Sequence, residues 1–130
     1  MEQLWNAMSN HAINQGMKPA QWTALRYLAQ ANESACHVGA FAQFHRTTPS
    51  SASQTMTALE KRNLVVKRKG EDNRQRILAL TAEGEQLLKD DPMLGLAATI
   101  ATLSDEQLAT MAEVMNTLLR TPIAPPKVDK

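Results

Sequence analysis

The sequence has one cysteine, few aromatic residues and no long hydrophobic run. Cys36 is the only cysteine in 130 residues, so no disulfide can form within the chain, as expected in a reducing compartment. Aromatic residues make up 4%, so the core must consist mainly of Leu, Ala, Met, Ile and Val, a mixture that favours helices. No apolar stretch has the length of a membrane span, and the amino terminus lacks the apolar run of a signal peptide. We therefore predict a cytoplasmic protein with no membrane partner.

Sequence patterns typical of catalysis and metal binding are also missing. The chain has no paired carboxylates at a plausible pocket, no nucleophile with an obvious base and no glycine-rich phosphate loop, so we predict no enzyme activity and no cofactor. The spacing of His11, His37 and His45 forms no compact ligand set, and we expect no metal site. Cys36 has two interpretations, a reactive sensor thiol or a small buried residue. The second is favoured because the sequence offers only His37 in support of the first.

Positive charge is concentrated in one segment, although the whole chain has a net charge of only +1. Residues 61–76 contain seven Lys or Arg residues and two carboxylates, Glu71 and Asp72, which gives a local charge of +5. The distribution of charge is more informative than its sum, because a basic patch attracts anionic partners such as nucleic acids.

The hydrophobic pattern predicts a mainly α-helical protein with one small β-hairpin. Helices are expected at residues 3–15, from Pro19, at about 38–45, from Pro49 to about Arg62, from the Thr81 cap, and after the Ser104 cap. Thr81 and the glutamate that follows it predict a capping box, and Pro92 is expected to kink the chain or restart a helix. The stretch NESACHV, residues 32–38, has room for a brief strand. Two stripes are expected to be buried in the core: Trp22, Leu25, Leu28 and Ala29; and Val38, Phe41, Ala42 and Phe44. A third apolar stripe is expected to pack either on the core or against a second copy of the chain: Leu108, Met111, Met115, Leu118 and Leu119.

The helix predicted from Pro49 has two distinct faces. At 100° per residue, Ala52, Met56 and Leu59 form its inward stripe. The outward set contains only small or flexible residues and no carboxylate: Ser50, Gln54, Thr57 and Lys61, with Ser53 and Ala58 on the flanks and Ser51 near the amino-terminal end. Such a face either keeps a surface helix soluble or meets the base edges and phosphates of a DNA major groove.

A basic hairpin follows this helix and favours the second interpretation. LVVKRK and RQRILAL are β-rich segments separated by the turn sequence GEDN. Lys67 and Lys69 project from one side of the first strand and Arg68 from the other, while Arg74 and Arg76 lie near the turn. A polar-faced helix followed by a basic hairpin is the winged helix-turn-helix arrangement, in which the helix enters the major groove and the hairpin reaches the adjacent backbone or minor groove.

The segment TALEKRNLVVKRKGEDNRQRILALTAEG, residues 57–84, resembles the MarR family of bacterial transcription regulators. LEKRNLV, residues 59–65, is similar to that family's junction between recognition helix and strand, with Asn63 where Gly is usual. Asp72 two residues before Arg74 resembles the family's wing signature, and LTAEG, residues 80–84, resembles the entry to the next helix. PAQWTAL, residues 19–25, is also similar to the family. The first helix is short for the family, and Pro92 interrupts a helix that is often continuous there.

The resemblance implies a single MarR-like domain, residues 1–130, with a winged helix-turn-helix at about 18–90, dimerisation helices at about 1–16 and 92–120, and a tail at 121–130. It implies a homodimeric repressor that binds a pseudo-palindromic operator in double-stranded DNA and is released by a small aromatic effector. The implied DNA-binding residues are Thr48, Ser50, Ser51, Ser53, Gln54, Thr57, Lys61, Lys67, Arg68, Lys69, Arg74 and Arg76. Arg68 has a second reading as a member of an internal ion pair, and Asp72 is expected to orient Arg74. The implied effector pocket contains Trp5, Met8, His11, Met17 and Trp22, residues that core packing explains equally well.

Two other functions are compatible with the same pattern. A winged helix can serve as a protein-interaction module without DNA binding, although the basic wing argues against this. Structured RNA is a weaker alternative because its deep, narrow major groove does not admit a helix.

Overall fold

The computed structural model describes residues 16–121 together with Glu2, Gln3 and Asn6. The elements are α1 Pro19–Gln30, a 3-10 helix Glu33–Ala35, α2 Val38–Phe44, α3 Pro49–Lys61, β1 Val65–Lys69, β2 Arg76–Leu80, α4 Ala82–Leu88, α5 Pro92–Ile100 and α6 Asp105–Arg120. The predicted fold class is confirmed: the protein is mainly helical and has a two-stranded antiparallel hairpin. The chain forms two compact units, Met1–Leu94 and Gly95–Lys130. No helix among the described residues is both long enough and apolar enough to cross a membrane.

The core of the first unit lies between α1, α2, α3 and the hairpin. Its largest fully buried side chains are Trp22, Phe41, Met17, Leu25, Met56 and Leu59. The predicted inward stripe of α3 is confirmed, because Ala52, Met56 and Leu59 are at most 1% exposed. Burial of this stripe fixes the rotation of α3 about its axis, and its opposite face is left towards solvent.

The same backbone motif ends both α2 and α3. After α2, Arg46 has a φ of 51°, and the Thr47 amide donates to the Ala42 carbonyl over 3.0 Å. After α3, Asn63 has a φ of 58°, and the Leu64 amide donates to the Leu59 carbonyl over 3.0 Å. These are Schellman motifs, which satisfy the last carbonyls of a helix through one left-handed residue. Glycine usually occupies that position, but this chain places arginine and asparagine there.

The hairpin pairs Val65 with Leu80 and Lys69 with Arg76 at its two ends. The expected strand in NESACHV is wrong, since residues Glu33–Ala35 form a 3-10 helix. The Asn32 side chain caps this helix by accepting a hydrogen bond from the Ala35 amide over 3.2 Å. The segment nevertheless supports the hairpin, because the Cys36 carbonyl accepts a 2.8 Å bond from the Leu78 amide.

Thr81 and Gly84 join the end of α3 to the start of α4. The Thr81 hydroxyl donates to the Asn63 carbonyl over 2.6 Å and accepts from the Gly84 amide over 3.0 Å, and the Thr81 amide donates to the Leu64 carbonyl over 3.1 Å. Gly84 packs directly on the Leu64 carbonyl, where a Cβ atom would overlap with the oxygen. The predicted capping box is wrong, because the residue three positions after Thr81 is Gly84, which has no side chain to return the bond.

Pro92 restarts the helix, as predicted, and α5 begins there after a short break. Asp91 caps α5 by accepting a 3.0 Å bond from the Met93 amide, and its buried carboxylate pairs with Arg26 of α1 over 3.1 Å. In the second unit, Ser104 and Gln107 form a capping box at the start of α6.

Other expectations on packing meet mixed outcomes. The expectation that Ala29 is buried is wrong, because this residue faces solvent. Phe44 contacts Tyr27, with ring centroids 4.9 Å apart, but it remains 62% exposed. The helix predicted at residues 3–15 lies largely outside the described residues, as does nearly all of the tail predicted from residue 121.

Candidate nucleic-acid interface

The outer face of α3 has the polar character that the sequence predicts. Ser50, Gln54, Thr57 and Lys61 are all exposed and follow one another at helical spacing, and Ser53 lies exposed on the flank. Glu60, the only carboxylate on α3, forms an ion pair with Lys67 at 3.5 Å. The face therefore offers donors and acceptors without a free anion, which suits contact with base edges and phosphates.

The amino-terminal end of α3 is organised by two hydroxyl groups. Thr48 caps the helix by accepting a 3.1 Å bond from the Ser51 amide, and its hydroxyl donates to the Ser51 hydroxyl over 3.0 Å. The side chains of Ser50, Ser53, Gln54 and Thr57 make no hydrogen bond to the rest of the described chain. Thr48 and Ser51 thus fix the start of the helix, while the following side chains are available to a partner.

The hairpin divides its cations between internal pairs and solvent. Lys67 pairs with Glu60, and Arg68 pairs with Glu33 over 2.9 Å, so the alternative reading of Arg68 as a partner in an internal ion pair describes its contacts. Lys69, Arg74 and Arg76 are exposed and form no ion pair within the described residues. These three are the hairpin cations that remain free for an anionic partner.

Asp72 occupies the tight turn at the tip of the hairpin. Its backbone carbonyl accepts a 3.1 Å bond from the Gln75 amide, which closes the turn. Among the described residues, its carboxylate forms no ion pair with Arg74. Its predicted role in orienting Arg74 therefore stays a prediction.

The Glu33 carboxylate lies where the 3-10 helix meets the hairpin. A hydrogen bond from the Glu71 amide, reinforced by Arg68, holds the pKa of Glu33 below its ordinary value of 4.5, against a smaller opposing effect of desolvation. A lowered pKa means that the ionised carboxylate stabilises the folded state. This contribution is complete above pH 4.5 and is lost as the pH falls towards the lowered pKa.

The Cys36 thiol has the character of a structural residue. The residue is 7% exposed, and its sulfur lies 3.6 Å from the Ala31 carbonyl, to which it donates. Burial raises the pKa of the thiol, although Arg68 acts in the opposite direction. A raised pKa reduces the thiolate fraction and therefore the reactivity, which agrees with the interpretation of Cys36 as a small buried residue.

Arg46 belongs beside this surface and was not predicted from the sequence. It lies in the turn between α2 and α3, two residues before the Thr48 cap, and its exposed side chain forms no ion pair in the described part of the chain. Its left-handed backbone is unfavourable for a residue with a side chain, and such strain is often found at functional positions. In the sequence, the basic residue in the turn HRTTP, residues 45–49, was the only indication of this role.

Two of the residues implied for an effector pocket lie in the described part of the chain, and the role of the set stays a prediction. Met17 and Trp22 are each 1% exposed and belong to the core, while Trp5, Met8 and His11 lie outside the described residues. A groove of about 360 Å³ lies elsewhere on the first unit, lined by Thr23, Arg26, Tyr27, Gln30, Ala31 and Phe44.

The two histidines in the described part of the chain have structural partners. The His37 imidazole caps α2 by accepting a 3.1 Å bond from the Ala40 amide, and His45 stacks on Phe41 with ring centroids 5.5 Å apart. Within residues 16–121, no group of three or more His, Cys, Asp or Glu side chains is placed to hold a metal ion.

The same architecture occurs in solved structures of low sequence identity. A point mutant of MepR from Staphylococcus aureus, bound to an oligodeoxyribonucleotide, superposes with a TM-score of 0.63 at 17% identity over 91% of this chain and 88% of the other. A MarR family protein from Bacillus stearothermophilus gives 0.67 at 20% identity over 92% and 84%. MarR of S. aureus in complex with salicylate and kanamycin gives 0.66 at 23% identity over 86% and 77%. These likenesses establish the shared fold.

The family model that matches this sequence covers the helix-turn-helix and most of the hairpin. It is the model of the MarR family, and it matches residues 15–76. No curated protein matches the sequence. The matched segment contains α1, α2, α3 and β1, the elements that build the interface described above. The chain therefore matches the MarR family over its helix-turn-helix and most of its hairpin, and it shares its fold with solved MarR family proteins.

Proposed function

We propose that this protein is a homodimeric repressor of transcription that acts in the cytoplasm and binds a pseudo-palindromic site in double-stranded DNA. The carboxylate-free outer face of α3, beside a cationic hairpin, is the observation that carries the proposal. In this arrangement α3 enters the major groove, where Ser50, Gln54 and Thr57 reach base edges. The positive end of the α3 dipole, at Thr48 and Ser51, lies near a phosphate.

The hairpin supplies the second part of the contact. Lys69 and Arg76 are paired across the two strands and neutralise backbone phosphates, while Arg74 reaches the minor groove from the tip. Lys61 extends the same positive surface along α3. Lys67 and Arg68 contribute less than their formal charge, because each is already matched by a carboxylate.

The apolar face of α6 supports the homodimer. Val114, Met115, Leu118 and Leu119 are 46–78% exposed and lie on one side of this helix. Exposed apolar stripes of this kind mark interaction surfaces, and a second copy of the chain would cover them. We infer that α5 and α6 serve dimerisation and that the elements from α1 to α4 serve DNA binding.

A small aromatic molecule is the proposed effector. The MarR of S. aureus in the comparison binds salicylate, and this chain shares its fold. Such a molecule would release DNA if it binds more tightly to one conformation of the dimer than to the other. In the favoured conformation, the spacing of the two DNA-binding units must differ from their spacing on the operator.

Selection of duplexes from a random pool by the purified protein tests the proposal. We expect two half-sites whose centres lie about one helical turn apart. If the dimer neutralises about eight phosphates, the logarithm of affinity against the logarithm of salt concentration should have a slope near −7. Competition by an RNA duplex of the same sequence should fail. Enrichment of no sequence, together with affinity that does not respond to salt, would reject the proposal.

Replacing Arg46 with glycine should change stability and DNA binding in opposite directions. The left-handed position then carries no side chain, so we expect the free energy of unfolding to rise by about 0.5 kcal/mol. Loss of the cation from the turn before α3 should weaken binding to the selected duplex about fivefold and make the salt slope shallower by about 1 per lost phosphate contact. Thermal unfolding and titration at several salt concentrations measure the two effects.

The conservative variant Arg46→Lys provides the control. It keeps both the charge and the backbone strain, so affinity and stability should stay close to those of the unmodified protein. Weaker binding by Arg46→Lys equal to that of Arg46→Gly would show that the charge itself is not what matters.

A further inference from the structure

Glu33 connects the helical body to the tip of the hairpin. It begins the 3-10 helix after α1, and both of its carboxylate oxygens accept hydrogen bonds from the hairpin. One oxygen accepts from the Arg68 guanidinium over 2.9 Å, and the other accepts from the Glu71 backbone amide over 3.1 Å. The carboxylate thus holds a side chain of β1 and the backbone of the tip at the same time.

The tip has little other support. Beyond the last strand pair, Lys69 with Arg76, the Gly70 amide donates to the Gln75 carbonyl and the Gln75 amide donates to the Asp72 carbonyl, and both of these bonds are local. The space between the tip and the body is an open cavity of about 230 Å³ rather than packed side chains, lined by Glu33, Ser34, Gly70, Glu71, Asp72, Gln75 and Ile77. A two-stranded hairpin is marginally stable by itself, so the orientation of its tip depends on such attachments.

We propose that Glu33 is a positioning residue for DNA binding, which holds the hairpin in the orientation that lets Lys69, Arg74 and Arg76 contact the duplex. This inference rests on the proposed function. Without the carboxylate, the tip must be ordered when DNA binds, and the lost conformational freedom reduces affinity.

The charge of Glu33, considered alone, predicts the opposite effect on DNA affinity. Glu33 is an anion on the DNA-binding unit, so its removal would strengthen the attraction of the protein for phosphates. Glu71 provides the matched comparison. Its side chain is an exposed carboxylate at the tip, but it contributes to the contact with Glu33 only through its backbone amide, which every substitution except proline retains. The variants Glu33→Ala and Glu71→Ala therefore lose the same charge, and only the first loses the attachment.

The test compares both variants with the unmodified full chain on one selected duplex. We expect Glu33→Ala to bind about tenfold more weakly, from the loss of two hydrogen bonds to a charged group. Glu71→Ala should bind about twofold more tightly. Amide hydrogen exchange in the free protein provides an independent measurement. In Glu33→Ala, the amide of residue 71 should exchange about tenfold faster, while the Leu78 amide, which is bonded to the Cys36 carbonyl, keeps its protection.

The outcomes separate this inference from the proposed function. Equal or tighter duplex binding by Glu33→Ala, with residue 71 still protected, would overturn the positioning role and leave the DNA-binding proposal intact. Failure of the unmodified chain to bind any duplex would overturn both. Weaker binding by both variants to the same extent would also overturn the positioning role, because it would trace the loss to charge. Loss of Leu78 protection in Glu33→Ala would do so as well, since it would indicate unfolding rather than release of the tip.

Discussion

Replacing Gly84 with alanine is expected to lower the free energy of unfolding by about 3 kcal/mol and the melting temperature by about 10 °C. A Cβ atom at this position would overlap with the backbone carbonyl oxygen of Leu64. Backbone cannot move aside as a flexible side chain can, so the start of α4 must separate from the end of α3. Thermal unfolding followed by circular dichroism measures the loss.

Gly95 provides the control for this substitution. It lies in α5, and apart from its chain neighbours and the surrounding helix backbone no described atom lies within 4 Å of the place where its Cβ would be. In a helix interior, alanine is more favourable than glycine by about 1 kcal/mol. Gly95→Ala should therefore leave the free energy of unfolding unchanged or raise it. If Gly84→Ala and Gly95→Ala melt at the same temperature, the close approach of Gly84 to Leu64 does not contribute to stability.

The second large effect is expected from replacing Leu118 with glutamate. In the proposed dimer this residue is covered by the second copy, and a carboxylate there must be buried without a partner. We expect dimer dissociation to become about a hundredfold easier or more. Because two linked DNA-binding units gain affinity from acting together, duplex binding should fall by at least a similar factor. Light scattering coupled to gel filtration, over a range of protein concentrations, measures the dissociation.

Ala109 provides the comparison on the same helix. It is exposed on the side of α6 opposite the apolar stripe, so Ala109→Glu adds the same charge outside the proposed contact. This variant should remain dimeric. A dimer that survives Leu118→Glu, or one that dissociates equally in both variants, would contradict the role proposed for this face of α6.

The local parts of the fold could be predicted from the sequence because helical period and capping chemistry act over a few residues. Ala52, Met56 and Leu59 specified the buried side of α3, and Thr48 and Ser104 marked helix starts correctly. These positions depend on neighbours within one or two turns.

Features that depend on distant partners could not be predicted in the same way. Arg68 is adjacent in sequence to two other cations, but its partner Glu33 lies 35 positions earlier, and only the folded chain brings them together. The environment of Met17 and Trp22 likewise depends on how α1 packs. Apolar residues in a sequence are equally compatible with a packed core and with a ligand pocket. The strand expected in residues 32–38 failed because Asn32 forms a local cap, a side-chain bond that competes with sheet pairing.

The two left-handed residues that bracket α3 set a limit on changes in chain length. Each closing motif counts residues along the helix, so a single insertion or deletion between Arg46 and Asn63 would rotate the outer face by about 100° relative to one of its two anchors. At the tip of the hairpin, whose turn closes within residues 70–75, the attachment to Glu33 uses only the Glu71 amide, so the turn after residue 71 tolerates changes in length. Length variation among natural relatives of this chain should accumulate at the tip and be absent from the helix.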